Sequence, residues 1–180
     1  EDMLFAAGRG GLKALVVAGL EPTDLADPAA ARANLEKAGF VISLEQRVSE
    51  VTERADVVFP VVLLEEQAGT FLNWEHRQGR VNRVNREAVS PMTDLRVLAA
   101  LADALGSDIG VRTAKAAKAE IDELGVWDGP RVAAPEVGAS SSVGEGYLVA
   151  SWRLLIDGSA GNAGEEALIA TAKPVVARLG

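Results

Sequence analysis

Leu12-Lys13-Ala14-Leu15-Val16-Val17-Ala18 is a short, nearly continuous apolar run, and it decides how the rest of the chain is read. Such a run fits a strand buried on both faces, as in a parallel sheet. Upstream, Met3, Leu4 and Ala7 share a face of what reads as the last turns of a helix, and Gly8, Gly10 and Gly11 supply its stop. A chain that opens on a finishing helix is expected to be a piece of something longer. Downstream of a loop over Gly19–Asp24, Asp27 precedes Pro28, an N-cap followed by proline at the first helical position. The helix continues over Ala29–Ala38 and Gly39 closes it. Phe40–Leu44 is a second strand, and Arg47–Ala55 a short helix with Val48 and Val51 on one face. Asp56–Phe59 is a third strand, ended by Pro60.

Strand, helix, strand, helix, strand in this spacing predicts a right-handed parallel unit, an α/β Rossmann-like sheet flanked by helices. Val61–Ser90 has a different texture, with polar residues and turns between short β-prone runs such as Thr70–Leu72 and Arg80–Asn82. It reads as a long excursion containing one hairpin, the kind of segment that carries function or an interface. Met92–Leu105 returns to a helix with Leu95, Leu98, Ala99 and Ala102 on its apolar face and Gly106 as its stop. Thr113 caps a further helix, Ala114–Leu124, closed by Gly125. The expected organisation is a Rossmann-like part over 1–125 and a Gly/Pro/Ala/Ser-rich linker over 126–146. Residues 147–180 then begin a second, incomplete β segment, with Tyr147–Asp157 as a strand and Ala167–Leu179 as a short element broken by Pro174.

Composition narrows the chemistry. Among 180 residues, 48% are hydrophobic but only 4% aromatic, so the core is built from Ala, Val and Leu. Lys plus Arg number 18 against 26 Asp plus Glu, a formal charge of −8, which argues against nucleic acid as a partner. There is no Cys, which removes disulfides, thiol nucleophiles and thiolate ligation of iron–sulfur clusters or zinc. A single His leaves no multi-histidine metal site. No apolar stretch reaches the ~20 residues that cross a bilayer, so no direct membrane insertion is expected.

Several motifs carry chemistry only on first sight. Gly8-Arg9-Gly10-Gly11 precedes its strand, whereas a dinucleotide loop follows one, so the glycines read as a helix stop. Gly138-Ala139-Ser140-Ser141-Ser142 lacks the second glycine of a nucleophile elbow and reads as a loop. His76, between Glu75 and Arg77, reads as an exposed or hydrogen-bonded structural residue. Glu65 and Glu66, adjacent on a strand, point to opposite faces and read as a solvated pair. Arg77, Arg80, Arg83 and Arg86 recur every three residues. They fit either contact with a phosphate or anionic cofactor, or an interface loop in a larger acidic assembly. If Gly69 holds a positive φ, Gly69→Val is expected to destabilise its loop. No catalytic constellation and no metal site emerge.

Ala55-Asp56-Val57-Val58-Phe59-Pro60, followed by Glu66, Gly69-Thr70, Asn73, Glu75 and Arg77, resembles the molybdopterin oxidoreductase family. That family has an ADVVLP strand followed by E-x-x-G-T-x-x-N-x-E-G-R. The Leu12–Pro22 run is similar to its strand and G-x-x-P turn. Ala150–Asp157 and Ala170–Pro174 are similar to one branch, the large iron–sulfur subunit of bacterial NADH-quinone oxidoreductase, in an actinobacterial form. The resemblance implies a structural portion of that subunit with no redox centre and no cofactor of its own. The iron–sulfur clusters would lie in a more N-terminal part of the parent, and residues 147–180 would open a C-terminal β-barrel-type domain. It also implies packing against the rest of the parent and other hydrophilic-arm subunits, on the cytoplasmic side and peripheral to the cell membrane. The alternative within the family is a genuine molybdopterin enzyme such as a formate dehydrogenase or nitrate reductase, with Gly69, Thr70, Asn73 and Arg77 near the cofactor. One departure bears on the choice. The family's E-G-R-x-Q reads Glu75-His76-Arg77-Gln78-Gly79 here, placing a side chain where a backbone would approach the pterin.

Overall fold

The computed structural model of the chain describes residues 1–75, 77–85, 91–133, 136, 156, 160–162, 164–174 and 176. His76, Arg86, the Gly138–Ser142 loop and nearly all of Tyr147–Asp157 lie outside these. The chain divides into two compact units, Glu1–Trp127 and Asp128–Gly180. In the second, the described secondary structure is a 3-10 turn, Ala160–Asn162, and a short helix, Glu166–Ile169. Among the described residues, the element expected over Ala167–Leu179 is represented by that turn of helix, which ends at Ile169.

The first unit is an α/β layer. Strands β1 (Leu15–Ala18), β2 (Val41–Glu45) and β3 (Val57–Pro60) form a parallel sheet in the order β1-β2-β3. The register pairs Leu15 with Val41, Val17 with Ser43, and Ser43 with Val58. Helices α1 (Asp2–Gly8), α2 (Pro28–Lys37) and α3 (Glu50–Arg54) accompany it. Paired residues of parallel neighbours share a face, and so do alternate residues of one strand. Leu15, Val17 and Val41 accordingly join Leu4, Ala7, Ala31, Leu35, Ala38 and Val51 in one buried cluster. All three helices thus serve the same face. On the other face, Leu44 packs with Val61 and Val97, flanked by Ile42, Phe59 and Leu101. Val97 and Leu101 belong to helix α4 (Asp94–Ala104).

The helix ends follow their sequence signals. Asp27 accepts from the Ala30 N–H at 2.9 Å, and Thr113 from the Ala116 N–H at 3.1 Å at the start of α5 (Ala114–Leu124). At the end of α1, Gly10 takes φ +77° while its N–H donates to Ala7 O and the Gly11 N–H to Ala6 O. That is the Schellman closure, which needs glycine for its left-handed residue. Arg112 braces the α4–α5 connection, donating to both Asp103 oxygens at 2.5 and 2.6 Å. The hydrogen bond from that guanidinium, aided by its charge, holds the Asp103 carboxyl below the usual range. Arg32 does the same for Glu50 between α2 and α3.

Several sequence expectations need correction. Strand β1 starts at Leu15, not Leu12, and is buried on one face only, since Val16 is 49% exposed. Above Val16 no described helix covers the sheet's second face. The helix expected over Arg47–Ala55 begins at Glu50, because Ser49 caps it and exchanges hydrogen bonds with Thr52. Val48 falls outside that helix and is 80% exposed, leaving Val51 as the buried residue. The apolar face of α4 is turned in part: Ala99 is buried as expected, but Val97 is buried with Leu101 beside it in the Leu44 cluster, while Leu98 is exposed. Glu65 and Glu66 lie in a 3-10 turn, Leu64–Glu66, not on a strand. Gly39 does not stop α2 by a left-handed turn; the chain leaves the helix at Ala38, which is already extended. Gly69 is likewise not at positive φ, and a Cβ there would meet open space.

Candidate functional site

The ADVVFP motif carries structure first. Asp56 accepts from the Val41 N–H at 2.7 Å through its carboxylate and donates its own N–H to Val41 O at 2.9 Å. This pair of hydrogen bonds fixes the start of β3 against the start of β2. Arg54 stands beside it, 3.7 Å from the Asp56 carboxylate, and donates to Ala38 O at 2.6 Å and Glu36 O at 3.1 Å. These are among the carbonyls that α2 leaves unpaired at its C-terminus. Sequence reasoning missed Arg54. Its only cue was a cation in the last turn of a helix that leads into an Asp-initiated strand.

The excursion that follows β3 is closed at successive levels. At its neck, the Val61 N–H donates to Glu45 O at 3.1 Å, Gln46 Nε2 donates to Val62 O at 2.8 Å, and Val61 bridges Met92. Further out, the Glu65 carbonyl accepts from the N–H groups of Val84 and Asn85 at 2.8 and 3.0 Å. Beyond that, β4 (Gly69–Leu72) and β5 (Gln78–Val81) form the expected antiparallel hairpin, pairing Gly69 with Val81 and Leu72 with Gln78. Asn73 shapes its tip. The Asn73 N–H donates to Arg77 O at 3.1 Å, and its Oδ1 accepts from the N–H of Glu75 at 2.9 Å and of Arg77 at 2.8 Å. Helix α5 lies alongside β4.

The four residues of the cofactor reading thus share one hairpin but occupy its two ends. Gly69 and Thr70 begin β4, and Asn73 and Arg77 flank the tip, about 13 Å along a strand at ~3.4 Å per residue. The Asn73 carbonyl oxygen is engaged in the turn, and the Arg77 guanidinium lies 3.3 Å from Glu75 on the exposed surface. The hairpin thus spreads these four residues along its length and does not gather them in one cluster. Of the arginine series, Arg77, Arg80 and Arg83 fall within the described residues, and of these Arg80 alone lies on a strand. Arg80 sits on β5 opposite Thr70, and Arg83 turns its Nε toward Asn85 O at 2.7 Å. Among the described residues, no group of three or more His, Asp or Glu side chains comes together to hold a metal ion. What the excursion does present is exposed apolar side chains: Trp74 at the tip is 89% exposed, Phe71 and Leu72 are exposed on β4, and Val84 is exposed at the level of Glu65.

The model of the molybdopterin oxidoreductase family matches residues 2–107, the whole sheet, the excursion and α4. The chain belongs to the molybdopterin oxidoreductase family. Over 190 residues it is 48% identical to the G subunit of the NADH-quinone oxidoreductase of Streptomyces coelicolor, in a match covering 99% of this chain and 22% of that protein. The corresponding G subunit of Mycobacterium bovis is 44% identical over 185 residues, 99% of this chain and 23% of its own length. A nitrate reductase of Symbiobacterium thermophilum is 32% identical over 106 residues, 58% of this chain and 14% of that enzyme. The chain therefore spans under a quarter of the length of these NADH-quinone oxidoreductase relatives. Among the described residues, no helix is long and apolar enough to cross a membrane.

Proposed function

We propose that this chain is a structural portion of the iron–sulfur subunit of an NADH-quinone oxidoreductase. The parent passes electrons from NADH to quinone through iron–sulfur clusters held in another part of its chain, and this portion carries none. One observation carries the reading: similarity to the NADH-quinone oxidoreductase relatives runs through 99% of the chain, across both compact units, whereas the nitrate reductase match covers 58%. Two features support it. The sheet and its helices pack around two buried apolar clusters, and the excursion offers Phe71, Leu72, Trp74 and Val84 outward on a frame held by backbone hydrogen bonds. Large exposed apolar side chains gathered on one element mark a contact surface. The partners are the remainder of the parent chain and neighbouring subunits of the hydrophilic arm. The assembly sits on the cytoplasmic side, peripheral to the membrane through the complex.

The second reading, a molybdopterin enzyme with Gly69, Thr70, Asn73 and Arg77 near the cofactor, is favoured by the 32% identity to a nitrate reductase. Affinity purification of the full-length parent from solubilised membranes separates the two. The scaffold reading expects a large assembly that reduces quinone with NADH and lacks stoichiometric molybdenum. A small enzyme with about one molybdenum per chain and no such activity would replace it with the second reading.

A further inference from the structure

Among the described residues β1 is an end strand of its sheet, and its outer edge carries an inference about what lies beside it. The connections β1–α2–β2 and β2–α3–β3 each step one strand across the sheet in the same direction, with α2 and α3 on the same face. Helix α1 continues that row. Its Leu4 and Ala7 lie in the cluster with Leu15 and Val17, and it packs against α2. The contact is close. A Cβ on Gly8 would lie 2.9 Å from the Asn34 Cα, and the Glu1 carboxylate accepts from the Ala26 N–H at 2.7 Å. Parallel crossovers are right-handed in about 98% of cases. A crossover whose helix lies on this face must therefore step in the direction that the other two take. The strand that feeds α1 then falls beside β1, on the side away from β2, and runs parallel to it.

The edge itself is prepared for a partner. The Leu15 N–H donates to Phe40 O at 2.8 Å and the Gly19 N–H to Leu44 O at 3.3 Å, so the odd-numbered backbone groups of β1 face β2. By the two-residue period, the N–H and C=O groups of Val16 and Ala18 face outward. The flanking apolar side chain of Val16 is half exposed. A bare parallel edge of this kind is rare, because parallel sheets are normally interior and edges invite pairing. The Streptomyces relative has ample chain to supply a partner, since the match takes up only 22% of its length.

We infer that in the full-length parent β1 is an interior strand, its outer edge paired in parallel with a strand from the part of the parent that precedes Glu1. This rests on the chain being part of a longer parent, but on neither the scaffold nor the molybdenum reading. The test therefore stays readable whichever of those holds. Residue-resolved amide hydrogen exchange on the purified full-length parent is the first measurement. The Val16 and Ala18 amides are expected to exchange within about tenfold of Val17, as in a strand hydrogen-bonded on both sides. Exchange of Val16 and Ala18 at the rate of open, solvated amides, with Val17 protected, would overturn the inference. A backbone trace of the same purified parent by electron cryomicroscopy then identifies the occupant. A parallel strand numbered before Glu1 supports the inference. An antiparallel strand, a strand from any later part of the chain, Tyr147–Asp157 included, or one from another subunit would overturn it.

Discussion

The sheet with its helices and the excursion from Val61 to Met92 are built on opposite principles. In the sheet, side chains go inward: Val41 is 0% exposed, Leu44 and Val51 are 1% exposed, and the backbone ladder follows from their packing. In the excursion beyond the buried Val61 and Val62, the backbone bonds to itself at successive levels, while Phe71, Leu72, Trp74 and Val84 stay exposed. A two-stranded ribbon of that kind is marginal in water without further cover. The difference assigns the two regions different tasks. One region stabilises the unit, and the other displays a surface held in shape by carbonyls such as that of Glu65 and by the Asn73 turn.

Substitutions break or sharpen this contrast, beginning with the sheet. Leu44→Ala removes the side chain at the centre of the cluster that joins β2 to α4, and should cost about 2–5 kcal/mol in chemical denaturation. A loss below about 1 kcal/mol would mean that α4 does not pack on the sheet. Gly8→Ala should cost about 1–3 kcal/mol, because the added Cβ meets the Asn34 backbone at 2.9 Å and no rotamer relieves that. Ser43→Ala should run the other way. Its Oγ is buried without a hydrogen-bond partner, so removal should leave stability unchanged or raise it by up to about 1 kcal/mol. In the excursion, Trp74→Ala should change unfolding by less than about 0.5 kcal/mol while weakening recovery of the parent in its assembly. A large loss of fold stability there would place Trp74 in a core and erase the contrast.

Acid gives the smallest effect. Asp103 and Glu50 have carboxyls lowered by Arg112 and Arg32, so each pair's contribution is complete above the unfolded carboxylate pKa, roughly 4. It fades as pH falls through the lower folded value. Both pairs are exposed, so the change is slight and salt-sensitive. Comparing acid titrations of the chain with Asp103→Asn at low and high salt should show a small difference above about pH 4 that shrinks as pH falls through the lower folded value.

What the sequence made legible were the local signals. The Asp27-Pro28 cap, the Thr113 cap, the Gly10 stop and the hairpin around Asn73 each depend on a few adjacent residues, and each stands as read. The misread elements depend on what arrives from far away. Val16 has a strand's sequence, but its burial requires a helix on the second face, and α4 reaches only the Leu44 side. The α4 face shifted from Leu98 to Val97 because both were apolar and only the position of the sheet chooses between them. The closure of the excursion was hard to read because, apart from the Gln46 side chain, it is made by backbone groups of Val61, Glu65, Val84 and Met92, which any side chain could carry. For the cofactor residues, the motif was readable but not their separation: a shared hairpin does not bring its two ends together.

The central claim is that the excursion's apolar surface is covered in the assembled parent. Oxidative footprinting of Trp74 and Phe71, in the intact complex and after mild dissociation of its subunits, tests it most directly. Both side chains should be protected in the complex and become several-fold more reactive on dissociation, while Leu44 stays protected in both. Equal, high reactivity of Trp74 in the two states would contradict the claim and leave the hairpin as a bare surface.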